Sequence, residues 1–92
     1  MNITKEKIEA LLIQYDIEGL IALGAPKDEY SDEAFIIFET LSNYKSADLD
    51  YNDVALIISN VWKNKFNLDN EEIEKRRSEI DSVSKDTFEF FN

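Results

Sequence analysis

The fold is decided by residues 51–66, which read YNDVALIISNVWKNKF. The apolar residues of this stretch recur every three or four positions, and this spacing places them on one face of an α-helix. They are Val54, Ile57, Ile58, Val61, Trp62 and Phe66. Asp50 or Asn52 is suited to cap the helix start. The pattern therefore predicts an amphipathic helix from about Tyr51 to Phe66, with its apolar face in the core.

Two further helices are predicted before this stretch. The first runs from about Lys5 to Tyr15 behind a Thr4 cap, because apolar residues follow at helical spacing. These residues are Ile8, Leu11, Leu12 and Tyr15. The second runs from about Asp32 to Asn43, where two acids in the first turn suit the positive end of the helix dipole. Its apolar face comprises Ala34, Ile37, Phe38 and Leu41, widened by Phe35 and Ile36.

A fourth helix is predicted from Asp69 onward. Asp69 and Glu72 have the spacing of a capping box, in which each side chain accepts a hydrogen bond from the other residue's backbone N–H. The expected inner face comprises Ile73, Ile80, Val83, Thr87 and Phe91. The sequence shows no linker and no β-alternation, so we expect an all-α protein, with residues 1–92 forming a single compact four-helix domain.

The segment between the first two helices, residues 16–30, reads DIEGLIALGAPKDEY. It contains both glycines and the only proline of the chain, and it is longer than most connections between packed helices. We expect an irregular loop with one helical turn from Gly19 to Leu23, ended by Gly24. An exposed acidic turn is expected to start at Pro26. Leu20, Ile21 and Leu23 are expected to pack over one end of the domain.

Composition excludes several classes of function. Twenty acids and ten bases give a net charge of −10, which disfavours nucleic acid and anionic membranes as partners. The chain has no Cys and no His, so thiolate nucleophiles, His-based triads and ordinary zinc or haem sites are excluded. Carboxylate catalysis needs a cleft for which a domain of this size has little room. We therefore expect a non-catalytic protein without cofactors.

No signal peptide or membrane helix is recognisable in the sequence. Charged residues interrupt the first thirteen positions, and the longest uncharged apolar stretch, 19–26, is far shorter than the roughly twenty residues of a membrane span. The expected location is the cytoplasm.

Two charged motifs have plain structural explanations. Asp48, Asp50 and Asn52 match the first three ligand positions of an EF-hand loop, but Asp53 stands where Gly is needed and Ser59 where a closing Glu is needed. Helix capping accounts for these acids, and no metal is expected. The one basic cluster, Lys75-Arg76-Arg77, follows Glu71 and Glu72 at the spacing of helical ion pairs, which indicates a solvated, self-neutralised face.

Acidity is concentrated in the first half of the chain. Residues 1–53 contain twelve acids and four bases, so they carry −8 of the net charge of −10. A localised charge of this kind directs encounter with a basic surface, although solubility is an alternative explanation. The densest group surrounds one tyrosine, a combination suited to recognising Lys and Arg. The candidate partner-binding residues are Asp16, Glu18, Asp28, Glu29, Tyr30, Asp32 and Glu33.

The same region resembles a known family. Residues 16–34, DIEGLIALGAPKDEYSDEA, resemble the segment D-P-x-G-L-I-x-x-G-A-P-x-D-E-Y-x-x-E-A of small acidic bacterial helical proteins of the DUF1871-like kind. Similar small proteins occur beside polymorphic toxin genes as candidate immunity proteins. The resemblance covers nineteen residues, implies a small helical fold, and assigns no catalytic residue.

Two functions are compatible with these observations. The first is an immunity protein that neutralises a cognate bacterial toxin, in particular a nuclease, by covering its basic substrate-binding surface. The second is a helical adaptor or regulatory subunit that binds a protein through apolar contacts. In that case Phe88, Phe90 and Phe91 are the expected contact residues, since one helix cannot turn all three inward. The sequence leaves the oligomeric state open.

Overall fold

A computed structural model describes residues 3–45 and 48–90 of the chain. Helices are the only regular secondary structure of these residues, and turns and loops connect them. Five helices are present: α1 (Lys5–Tyr15), α2 (Ser31–Ser42), α3 (Tyr51–Lys65), α4 (Asn70–Lys75) and α5 (Arg77–Glu89). The all-α prediction is confirmed, whereas the predicted fourth helix is divided into two.

Local capping rules account for the starts of three helices. The Thr4 hydroxyl accepts a hydrogen bond from the backbone N–H of Lys7 at the start of α1. Asp50 and Asp53 form a capping box at the start of α3, as Asp69 and Glu72 do at the start of α4. Each box satisfies backbone donors that have no partner within the helix. These contacts also provide a structural role for Asp50 and Asp53, two acids of the EF-hand-like motif.

Helix α2 differs from expectation in one respect. Ala34, Ile37 and Leu41 are fully buried, as their spacing predicts, but the ring of Phe35 is 51% exposed. Ile36 is partly buried and packs against the core. The prediction that Phe35 widens the buried face is therefore wrong: a helix in a small bundle buries one stripe, and Phe35 lies outside it.

The last helical region is broken at Arg76. The backbone of this residue (φ −102°, ψ 5°) leaves the helical range, and its N–H donates to the carbonyl of Ile73. Ile73, Ile80, Val83 and Thr87 are nevertheless buried, as predicted. Phe91 lies outside the described residues. The break separates α4 from α5 and gives five helices in place of the expected four.

The core lies inside a ring of four helices. Helix α1 packs against α2 and α5, and α3 packs against the same two helices, while α4 contacts α3 and α5. The largest fully buried side chains are those of Trp62, Tyr30, Ile8, Leu12, Ile37, Leu41, Ile58 and Ile80. The radius of gyration is 12.4 Å, the value expected of a compact domain of this size.

Two of the three C-terminal aromatic residues differ from the exposed group that the sequence suggested, and the third, Phe91, lies outside the described residues. Phe88 and Phe90 are partly buried and pack against the core. The ring of Phe88 meets Tyr51 edge-on at 6.5 Å between centroids, and the Lys7 ammonium lies 4.9 Å from the centroid of Phe90. None of the helices in the described part of the chain is both long and apolar enough to cross a membrane.

Candidate functional site

The segment between α1 and α2 is an ordered loop built around one helical turn. Leu23 donates its backbone N–H to the carbonyl of Gly19, and the turn closes with hydrogen bonds from Gly24 to Ile21 and from Ala25 to Leu20. The last two bonds form a Schellman motif, which requires a left-handed residue at its end. Gly24 supplies it with φ +97°. The predicted turn from Gly19 to Leu23 is confirmed.

Asp16 ties this turn to the end of α1. It adopts the left-handed conformation (φ 46°) that Asp tolerates better than most residues. Its carboxylate accepts backbone N–H bonds from Ile21 at 3.0 Å and Ala22 at 2.9 Å, and a bond from the Tyr30 hydroxyl at 2.6 Å. Burial raises the pKa of Asp16, but the bonds from Tyr30, Ala22 and Ile21 outweigh it and hold that pKa below the ordinary range.

Tyr30 joins both ends of the loop from inside the protein. Its side chain is fully buried, its ring lies 5.7 Å from that of Trp62, and its hydroxyl accepts the backbone N–H of Glu18 at 3.3 Å. Burial and the hydrogen bond to Asp16 raise the pKa of the phenol. Since no surface of Tyr30 is exposed, its ring is not available to a partner in this conformation.

Glu18 is the centre of a second anchor. Its carboxylate accepts a hydrogen bond from the Trp62 indole at 2.8 Å and forms a two-pronged ion pair with Arg76, through Nε and Nη2. The remaining guanidinium nitrogen, Nη1, donates to the Glu72 carbonyl at 2.8 Å. This arrangement connects the loop to α3 and to the break between α4 and α5. Arg76 is therefore partly buried and paired within the fold, contrary to the solvated face predicted for its cluster.

Glu33 is the third acid with a buried position. It lies in the first turn of α2 and is only 6% exposed. Burial raises the pKa of its carboxyl group, Lys65 opposes that rise, and the charges of Asp32 and Glu29 add to it. The surroundings of Glu33 therefore disfavour the ionised form of its carboxyl group.

Asp28, Glu29 and Asp32 form the exposed remainder of the predicted site, hereafter the acidic turn. All three are exposed. Within the described residues none of their side chains makes a hydrogen bond or an ion pair. Their backbone is fixed, because Glu29 donates to the Pro26 carbonyl and Ser31 donates to the Asp28 carbonyl, both at 3.0 Å. The acidic turn is a fixed group of solvated carboxylates.

The seven predicted site residues thus fall into two groups. Asp16, Glu18, Tyr30 and Glu33 are engaged in the fold or buried, and Asp16 and Glu18 both hold the loop in place. Asp28, Glu29 and Asp32 remain on the surface. Leu23 also departs from expectation: Leu20 and Ile21 pack against the core, but Leu23 is 83% exposed.

A groove between α2 and α3 was not predicted from the sequence. It has a volume of about 360 Å³ and combines apolar side chains with amides, two hydroxyls and one carboxylate. The lining residues are Ile36, Thr40, Tyr44, Asp53, Leu56, Ile57, Asn60, Val61 and Asn64. Leu56 is 60% exposed and Tyr44 is 41% exposed. In the sequence, the only signal for this surface is that α2 and α3 contain more apolar residues than the core buries, Leu56 among them.

Chemically, the described surface offers charge and apolar contact. Across residues 3–45 and 48–90, no group of three or more His, Cys, Asp or Glu side chains is placed to hold a metal ion. The acids with the most developed surroundings, Asp16 and Glu18, are saturated by donors from the protein itself. Both carboxylates are therefore occupied within the fold.

Comparisons with family models, curated proteins and solved structures give no match.

Proposed function

We propose that this protein is a non-catalytic binding protein for a basic protein partner, and specifically an immunity protein that covers the substrate-binding surface of a cognate toxin. The observation that carries the proposal is the state of the acidic turn. Asp28, Glu29 and Asp32 are exposed and unpaired on a fixed backbone, within a chain of net charge −10.

Physical chemistry favours this use of the acidic turn. Carboxylates on a fixed backbone lose little backbone freedom on binding, and they accept charge-assisted hydrogen bonds from Lys and Arg. A nuclease presents such cations to its substrate phosphates. An acidic domain that occupies the same cations blocks the substrate by competition, and no chemical step is required of the inhibitor.

The test uses charge reversal with a matched control. The double variant Asp28→Lys/Glu29→Lys changes the net charge by as much as Glu71→Lys/Glu89→Lys does, and all four positions are exposed. Tagged wild-type protein and both variants are used to capture partners from the native host at low and high salt. We expect one basic partner that is lost from the Asp28/Glu29 variant, retained by the control, and weakened by salt.

The immunity role is then tested by growth. The captured partner is expressed in a susceptible host alone, with the wild-type protein, and with each variant. Growth arrest by the partner, relieved by the wild type and the control but not by Asp28→Lys/Glu29→Lys, is the expected result. A partner without toxicity would overturn the immunity role, and equal binding by the two double variants would remove the acidic turn from the interface.

A further inference from the structure

We infer that the groove between α2 and α3 is a docking site for a cationic amphipathic helix of a partner protein. This inference rests on the proposed function for the sign of the partner's charge. It adds a second surface, which adjoins the acidic turn at Asp32, and it specifies the secondary structure of the segment that binds there.

The shape and lining of the groove suit a helix. The α3 side runs from Leu56 through Asn60 to Asn64, three residues spaced by four, which spans about 12 Å along the helix axis. An amphipathic helix presents residues at i, i+3, i+4 and i+7 over a similar length. Apolar contact is available from Leu56, which is 60% exposed although it lies on a helix that otherwise buries its large apolar side chains.

The polar groups of the groove complete the fit. Asn60 and Asn64 are exposed, and within the described residues neither side-chain amide makes a hydrogen bond. The Thr40 hydroxyl, by contrast, already donates to the Ile36 carbonyl at 2.8 Å. The two asparagines can therefore pair with polar side chains at the edge of a bound helix without breaking an internal bond.

Charge determines which kind of helix the groove accepts. The side chains that line the groove include Asp53 but no Lys or Arg, and α2 contains no basic residue. Asp32 and Glu39 lie four residues before and three residues after Ile36, so they neighbour it on the helix surface. A helix with Lys and Arg beside its apolar stripe meets these carboxylates, and its long aliphatic stems cover the apolar rim.

The same charges argue against a second copy of this chain as the occupant. A symmetric dimer places the same patch against itself. Asp32, Glu39 and Asp53 would then face their own copies in a protein that already carries a net charge of −10. Like charges across an interface are costly, so a basic partner is favoured.

The experiment follows backbone amide signals of the full, isotopically labelled chain while peptides are added. The probe is a synthetic helix of about 14 residues, about 21 Å long, with Leu at i, i+3, i+4 and i+7 and Lys elsewhere. One control peptide has Glu in place of Lys, and another has the Lys/Leu composition in scrambled order. We expect saturable shifts at Ile36, Leu56, Asn60 and Asn64 with the Lys helix alone.

Two matched variants locate the binding. Leu56→Gln removes an exposed leucine inside the groove and Leu23→Gln removes one outside it; since both side chains project into solvent, both variants should keep the wild-type melting temperature. We expect Leu56→Gln to weaken binding of the Lys helix about tenfold and Leu23→Gln to leave it unchanged. Equal effects of the two variants, equal binding of the scrambled or Glu peptide, or self-association through the groove would each overturn the inference.

The peptide experiment is independent of the toxin. If the captured partner is harmless or ignores the acidic turn, the proposed function fails while the groove measurement stands. If the natural partner requires Asp28 and Glu29 but the Lys helix leaves the groove signals unmoved, the groove inference fails and the proposed function stands.

Discussion

The two ends of the loop between α1 and α2 each carry a pair of acidic residues, but one pair is bonded within the fold and the other faces solvent. Asp16 and Glu18 turn inward, where backbone amides, the Tyr30 hydroxyl, the Trp62 indole and the Arg76 guanidinium satisfy them. Asp28 and Glu29, twelve and eleven residues later, are exposed, and within the described residues their carboxylates have no hydrogen-bond or ion-pair partner. The difference lies in the donors that the fold brings to each acid, and it shows that the inner pair fixes the loop that presents the outer pair.

Of the substitutions at these acids, removal of Glu18 should lower the free energy of unfolding most. Glu18→Ala leaves the partly buried Arg76 guanidinium and the Trp62 indole N–H without their acceptor. We expect the free energy of unfolding to fall by about 2–3 kcal/mol, less than for a fully buried ion pair because the Arg76 side chain remains partly in solvent. Urea denaturation provides the measurement.

The matched control for this prediction is Glu29→Ala, which should change stability by less than about 0.5 kcal/mol because it removes no internal contact. A double-mutant cycle with Arg76→Ala should also show strong coupling to Glu18 and none to Glu29. Similar losses in the two single variants would contradict the division of the loop into inner and outer acids.

Asp16→Asn addresses the other inner acid. Asn keeps the left-handed backbone accessible but has one acceptor oxygen in place of two, so part of the three-bond cluster around Asp16 is lost. The expected cost is about 1–1.5 kcal/mol at neutral pH, whereas Asp28→Asn should be neutral.

The pH dependence of Asp16 gives a second readout. Because the pKa of Asp16 is lowered in the folded state, its contribution is present above the pKa of the unfolded chain and is lost as pH falls through the folded pKa. Stability of the wild type should therefore approach that of Asp16→Asn on acidification. A gap that stays constant down to low pH would argue against an ionised Asp16 as the source.

Local rules predicted much of this fold because they act within a few residues. The Thr4 cap, the cap at Asp50, the capping box of Asp69 and Glu72 and the Gly24 turn depend on neighbours in sequence, and all are present. The anchor between Glu18 and Arg76 joins positions 58 apart, and no local pattern marks either residue. The same limit applies to Arg76 itself: its neighbours favour a continuous helix, and the break coincides with a contact to a distant loop.

The site was harder to predict than the fold for a related reason. Counting acids located a charged segment, but a carboxylate that caps a turn and one that faces solvent look alike in sequence. Leu23 illustrates the same problem for apolar residues, since it follows Leu20 and Ile21 in one turn yet projects into solvent. Burial depends on which face of the turn meets the core, and this is settled by tertiary packing.

Tyr30→Phe tests the link between the inner acids. The hydroxyl donates to Asp16 and accepts from the Glu18 backbone, so its removal should cost about 1 kcal/mol at neutral pH. Tyr44→Phe, at a ring 41% exposed, is the matched control and should cost nothing measurable. Thermal or urea unfolding of the two variants gives the comparison.

Alkaline conditions should reduce the effect of this substitution. The pKa of Tyr30 is raised in the folded protein, so its contribution is fully present below the pKa of an unfolded tyrosine, about 10, and is lost as pH rises through the folded pKa. Wild type should lose stability above that pH faster than Tyr30→Phe. Parallel alkaline curves would contradict an un-ionised, hydrogen-bonded Tyr30.

Glu33→Gln should have the smallest effect on stability of these substitutions, and it should raise the stability where the others lower it. Glu33 is nearly buried and its pKa is raised, first by burial and then by Asp32 and Glu29, against the attraction of Lys65. A raised folded pKa means that the favourable contribution is present below the unfolded pKa and is lost as pH rises. At neutral pH the carboxyl group of Glu33 therefore costs stability, and Glu33→Gln should stabilise the protein by about 0.5–1 kcal/mol.

The neighbouring Asp32→Asn is the control, because Asp32 is exposed in the same helical turn and its charge favours the positive end of α2. It should lower stability by about 0.3 kcal/mol. The gain from Glu33→Gln should also vanish below about pH 4, where the wild-type carboxyl is protonated as well. If these two substitutions change the stability in opposite directions, the position of a carboxylate relative to the core, and not the total negative charge, determines whether it costs stability. The carboxylates that cost no stability are the ones free to bind a partner.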